Sequence, residues 1–239
     1  MDYTEWSRNT KVLEFTASEK YYEQLAIEFL NKARDATAEK GNFLAVLGGG
    51  NTPRKINEKI VELSGKYEVD WSRVYIVLSD ERWVEENSDY SNSRMMRQTL
   101  IEPLHINALF QIYESSKTVE GASRSYAHYI LDLLERTGQK TFDYALLGVG
   151  SDGHTASLFP GNHFLPDRGP VAVCGGKGPE GLERISLSYA ALNRCSLISF
   201  LINSPEKRAI YHLMNVDWNP GKYPIQNINS IKNMYILAD

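Results

Sequence analysis

Asp152-Gly153-His154 places a carboxylate and an imidazole two residues apart, in a stretch from Gly148 to His154 that is interrupted by three glycines. Histidine is the side chain whose ordinary pKa suits proton exchange near neutrality. A carboxylate beside it can fix the tautomer of the ring and steady the imidazolium that forms when it takes a proton. The pair therefore reads as a general base with its orienting acid. Ser79-Asp80-Glu81-Arg82 sets three consecutive ionisable groups directly after an apolar run. Charges at such a position are costly unless paired or used, and Arg82 can hold a substrate oxygen or stabilise developing negative charge. Gly48-Gly49-Gly50-Asn51-Thr52-Pro53 offers unblocked backbone N–H groups, with side-chain donors on Asn51 and Thr52. At the start of a helix these make an anion site, unless Asn51 or Thr52 simply caps the helix. The glycines fit neither the GxxxxGK[ST] phosphate loop nor the GxGxxG dinucleotide fingerprint.

Two basic residues gain weight if the ligand carries a phosphate: Arg184, just before an apolar run, and Lys207, near the start of a helical segment. Zinc is the weaker reading of the histidine, because a zinc site wants three or four converging ligands. The other histidines, His105, His128, His163 and His212, show no ligand spacing. His128 and His212 fall in helical segments, and His163 sits in a loop or at a pocket rim.

These residues need a scaffold, and the apolar pattern supplies one. Short runs at 43–47, 74–78, 142–147, 185–188, 197–203 and 234–238 read as strands. Helical spacing covers 19–40 (with Ser18 as its cap), 53–64, 91–100, 119–136 and 205–214. Buried strands alternating with helices indicate an α/β fold with a mainly parallel sheet covered by helices on both faces. Ligands bind such sheets beyond the carboxyl ends of the strands. The segments 48–52, 79–82 and 148–154 all follow strands, so they are expected to share one site. The glycine-rich run 174–181 reads as a mobile surface loop. No repeat or linker divides the chain, which is expected to form a single catalytic domain over 1–239.

Composition narrows the function classes. With 42% hydrophobic and 23% charged residues the 239-residue chain can bury a substantial core. A formal net charge of −4 gives no footing for nucleic acid. No apolar run approaches a bilayer span and the first residues are polar, so a cytoplasmic protein without membrane contact is expected. Cys174 and Cys195 read as free thiols of a reducing compartment.

The strings Gly-Gly-Gly-Asn-Thr-Pro at 48–53, Ser-Asp-Glu-Arg-Trp-Val at 79–84, Ser91-Asn92 and GVGSDGHTASLFPG at 148–161 resemble the 6-phosphogluconolactonase family in order and spacing, from about residue 15 to the last strand. The resemblance implies a modified Rossmann-like domain, shared with glucosamine-6-phosphate deaminases and related to ribose-5-phosphate isomerase. It implies hydrolysis of 6-phospho-D-glucono-1,5-lactone to 6-phosphogluconate in the oxidative pentose phosphate pathway. No metal or organic cofactor is expected, the partner is a small sugar-phosphate lactone, and the protein is expected to be a monomer or weak homo-oligomer.

Carried onto this sequence, the resemblance puts the phosphate on Gly49, Gly50, Asn51 and Thr52 with Lys207 and Arg184. His154 is the base, Asp152 its support, Arg82 the stabiliser of the oxyanion, and Asp80 a pocket residue. Two positions depart from the family pattern: Asn51 stands where serine is usual, and 203–207 lacks a leading glycine. The alternatives are a deaminase-like isomerase and a non-catalytic sugar-phosphate sensor. Against the isomerase, 155–161 contains no carboxylate, and Arg82-Trp83 follows Asp80-Glu81 where deaminases have tyrosine.

Overall fold

In the computed structural model the described residues are 3–107, 109–161 and 171–238; His163 lies outside them. The apolar runs form β2 (Phe43–Leu47), β3 (Val74–Leu78), β5 (Tyr144–Gly148), β8 (Ile198–Ile202) and β9 (Lys232–Leu237). With an N-terminal β1 (Thr10–Phe15), whose polar outer face hid it from the apolar reading, they make a six-stranded sheet. Its order is β1-β9-β8-β5-β2-β3 and every pairing is parallel. Every residue of β2 and β8 is buried. Because successive side chains point to opposite faces, both faces of the sheet are covered.

The long helix α2 (Ser18–Glu39) lies against β1, β2 and β9, and α3 (Asn51–Leu63) packs on α2. Residue 17, not Ser18, occupies the cap position of α2, and no side chain caps it. Two more helices, α6 (Val119–Arg136) and α8 (Pro205–Val216), follow the expected spans and carry His128 and His212. The span expected to be helical at 91–100 is so from Asn92 onward, but not as one α-helix: α4 (Asn92–Met96) runs into a π turn, Arg97–Ile101, and a last turn α5 (Glu102–Leu104). The short α1 (Tyr3–Arg8) and α7 (Tyr189–Leu192) complete the set of α-helices among the described residues. No helix among the described residues is long and apolar enough to cross a membrane.

A second, antiparallel sheet of three strands was not anticipated. It consists of β4 (Asp80–Arg82), β7 (Glu183–Leu187) and β6 (Ala172–Lys177), in the order β4-β7-β6. The run expected to be a loop at 174–181 is therefore half strand and half hairpin turn, closed by Gly178 N–H to Leu182 O at 2.9 Å and Gly181 N–H to Gly178 O at 2.8 Å. The ionisable segment 80–82 is itself a strand, paired residue for residue with Ser186, Ile185 and Arg184.

Parallel pairing points the carboxyl ends of β8, β5, β2 and β3 the same way, side by side. The loops that follow them at 203–204, 149–155, 48–50 and 79 thus open into one place. The small sheet brings Arg184 beside Arg82 at its border.

Candidate active site

After β5 the chain turns back on itself. Gly153, at φ +83°, donates to Gly150 O at 3.0 Å, and Gly150 donates to His154 O at 2.8 Å. This tight turn carries Asp152 and His154 together. One carboxylate oxygen of Asp152 accepts from the His154 backbone N–H at 3.0 Å and meets ring Nδ1 at 2.5 Å. Partial burial disfavours the Asp152 carboxylate, but these bonds from His154 outweigh it and hold the carboxyl below its usual range. With Nδ1–H donated to Asp152, Nε2 is the ring nitrogen that can accept a proton. The Phe159 ring packs beside the imidazole at 4.8 Å between centroids.

Gly150 makes room for this arrangement. A Cβ there would stand 2.1 Å from His154 Nδ1 and 2.7 Å from Asp152 Oδ1. Gly150→Ala is accordingly expected to swing the imidazole out of place and cut kcat by roughly 10²-fold, the scale of an ångström misplacement of a catalytic group. Steady-state kinetics together with an unchanged melting temperature would check this.

At the end of β3, Asp80 is buried and held at both oxygens: Ser79 Oγ donates at 2.8 Å and Ser157 Oγ at 2.7 Å. Glu81 points the other way, into the start of α4. Its carboxylate accepts from the backbone N–H groups of Arg82 (2.8 Å), Asn92 (2.8 Å) and Ser93 (2.7 Å). Burial pushes the Glu81 carboxyl up, and the amides of Asn92 and Ser93 oppose that shift. Glu81 thereby ties α4 to β4 and fixes Asn92. That side chain donates to Asp80 O at 2.9 Å and accepts from Arg82 Nη1 at 2.8 Å. A Cβ on Gly49 would fall 1.8 Å from Asn92 Oδ1, so glycine is what lets the first loop approach.

Arg184 reaches Asp80 at 3.6 Å and also contacts Glu180. Burial lowers its pKa, with Asp80 countering. Lys207 sits in the first turn of α8, where burial lowers its pKa too. Its ammonium donates to Asn203 Oδ1 at 3.2 Å, and Asn203 Nδ2 donates to Thr52 Oγ1 at 2.6 Å. No side chain caps α3: Gly50 is its N-cap, at φ +102°. The caps considered for Asn51 and Thr52 are not formed, and the first amides of α3 have no partner within the helix.

Gly49, Asp80, Arg82, His154, Arg184 and Lys207 all line one cleft of about 550 Å³. It offers an imidazole base with an acid behind it, facing three cations. That equipment suits attack of water on an electrophilic carbon of an anionic ligand.

The profile described as glucosamine-6-phosphate isomerases/6-phosphogluconolactonase matches residues 16–236. The chain belongs to this family. A 6-phosphogluconolactonase from Thermotoga maritima is 30% identical over 198 residues, covering 82% of this chain and 86% of that protein. In fold, a crystal structure of a 6-phosphogluconolactonase from Shewanella baltica superposes with a TM-score of 0.83 at 24% identity, over 95% of this chain and 97% of that one. A monomeric glucosamine-6-phosphate deaminase superposes at 0.78 with 16% identity, over 95% and 97%. The α/β fold of the isomerase/lactonase family is thus shared across both activities, and the choice between them rests on the site.

For this family member the structure brings His154, Arg82, Asp80, Gly49, Arg184 and Lys207 into the cleft. Asp152 stands behind His154, and Gly50, Asn51 and Thr52 form the start of α3 beyond the lining. The sequence reading did not find Ser157 and Glu180. Ser157 meets Asp80 across 77 positions of chain, which no local pattern reports. Glu180 did carry a signal, an acid four residues before Arg184, but it lay in a run read as a loop.

Proposed function

We propose that this protein hydrolyses 6-phospho-D-glucono-1,5-lactone to 6-phosphogluconate, with its whole length acting as one catalytic domain. The observation that carries the reading is the Asp152–His154 pair opening into the same cleft as Arg184 and Lys207. The substrate phosphate binds Lys207 and Arg184, with the amides at the start of α3 and Thr52 supporting it. The lactone ring then lies toward His154. Nε2 of His154 takes a proton from water as its oxygen bonds to the lactone carbonyl carbon. The carbonyl oxygen becomes an oxyanion, stabilised by Arg82, whose guanidinium is fixed by Asn92 and by Tyr90 O at 2.9 Å. Collapse of the intermediate breaks the bond to the ring oxygen, which leaves with the proton returned by His154. In this reading the protein is cytoplasmic, consistent with two free cysteines, and works as a monomer or weak homo-oligomer.

A deaminase-type isomerisation shuttles protons between carbon atoms and needs a carboxylate free to do so. Asp80 is held by a hydroxyl donor at each oxygen with Arg184 alongside, and 155–161 supplies no other acid. Hydrolysis of freshly generated lactone, measured against an enzyme-free blank, tests the reading. Acceleration with no turnover of glucosamine 6-phosphate supports it; a rate equal to the blank overturns it.

Lys207→Ala is expected to raise KM by roughly 10- to 100-fold, the scale of a charged hydrogen bond, with a smaller change in kcat. A phosphate remote from the reacting carbon is first a binding contact. An unchanged KM would remove Lys207 from the phosphate site.

A further inference from the structure

The register of the small sheet sets Arg82 directly opposite Arg184. Like charges on opposed positions repel, and both side chains are largely withdrawn from solvent at the edge of the cleft, 24% and 7% exposed. A single carboxylate touches both. Glu180, on the turn of the β6–β7 hairpin, pairs with the Arg184 guanidinium, and the same oxygen lies 3.8 Å from Arg82 Nε. The Nε atoms of both arginines are buried, with no hydrogen-bond partner among the described residues.

Asp80 also neighbours Arg184, but its oxygens are committed to Ser79 and Ser157, which makes it part of the fixed frame. Among the described residues Glu180 has no hydrogen-bond partner except Arg184. Its turn is bounded by Gly178 and Gly181, the latter at φ +78°, and Glu180 itself lines the cleft with Lys207 and His154.

We infer that Glu180 is an affinity-determining residue, a built-in anion that competes with the ligand's phosphate for Arg184 and lies beside Arg82 while it does so. This rests on the phosphate site proposed above. A phosphate dianion brings more charge and more acceptor oxygens than one carboxylate, so it displaces Glu180, and the hairpin turn gives way. A singly charged ligand gains little by the exchange. Glu180 therefore lowers affinity for anions in general and leaves the dianion preferred.

The test uses the full chain and inorganic phosphate as the probe, titrated calorimetrically into wild type, Glu180→Gln, Glu180→Ala and Glu183→Gln. Glu183 faces Lys177 across the hairpin and controls for net charge alone. Both Glu180 variants are expected to bind phosphate about 5-fold more tightly, the scale of one partly exposed ion pair. KM for the lactone should fall in parallel, while Glu183→Gln should match wild type. Unchanged or weaker phosphate binding in the Glu180 variants overturns the inference, as does an equal gain in Glu183→Gln. Lactone hydrolysis by wild type is measured alongside. Hydrolysis without the affinity gain overturns the role of Glu180 alone. The gain without hydrolysis overturns the lactonase reading and leaves the competing carboxylate standing.

Discussion

Replacing His154 with alanine is expected to lower kcat by about 10²–10⁴-fold with little change in KM, because a general base acts in the transition state and hardly at all in binding. The geometry makes the effect specific to the ring. Asp152 Oδ1 holds both the backbone N–H and Nδ1 of this residue, so alanine keeps the first bond and the turn while losing the proton acceptor. Wild-type circular dichroism with collapsed turnover is the expected pair of observations. Near wild-type kcat would remove His154 from the chemistry and leave the cations to do no more than bind.

Arg184→Met is expected to damage stability and binding together. Arg184 and Asp80 have side chains only 7% and 11% exposed. Removing one partner of a buried pair leaves the other uncompensated, at a cost of about 3–5 kcal/mol. Asp80 retains its two hydroxyl donors, which favours the lower end of that range. Denaturant unfolding reads the first effect and KM the second. Combining Arg184→Met with Asp80→Asn separates them: stability should return in part, since the buried carboxylate of Asp80 is gone and only the more exposed Glu180 has lost its partner, whereas substrate affinity should not. A single variant as stable as wild type would show that the pair contributes nothing to the fold.

The parallel core was legible because strands covered on both faces must be apolar throughout, and 43–47 and 74–78 are. The small sheet was not. Asp80–Arg82 has no apolar alternation and 172–177 is rich in glycine; pairing with β7, about a hundred residues from β4, makes them strands. The same division runs through the site. Asp152 and His154 were legible as a unit because one five-residue turn joins them. The opposition of Arg82 and Arg184, and with it the part played by Glu180, exists only once the register of the small sheet is known. Glu81 looked like one charge among three, yet it is bound by the amides of Asn92 and Ser93, so its role lies in a helix start eleven residues away.

The order of the large sheet also has a bearing on how the chain reaches its native state. Among the described residues the only sheet neighbour of β1 is β9, and β9 in turn separates β1 from β8. During synthesis residues 10–15 therefore wait, unpaired, until residues 232–237 have left the ribosome, while β2, β3, β5 and β8 can already assemble. Completing the sheet requires the insertion of β9 between β1 and β8, and its pairing with β1 closes a loop of more than two hundred residues, a slow kind of contact to form. Until then β8 presents an open edge to any other nascent chain nearby.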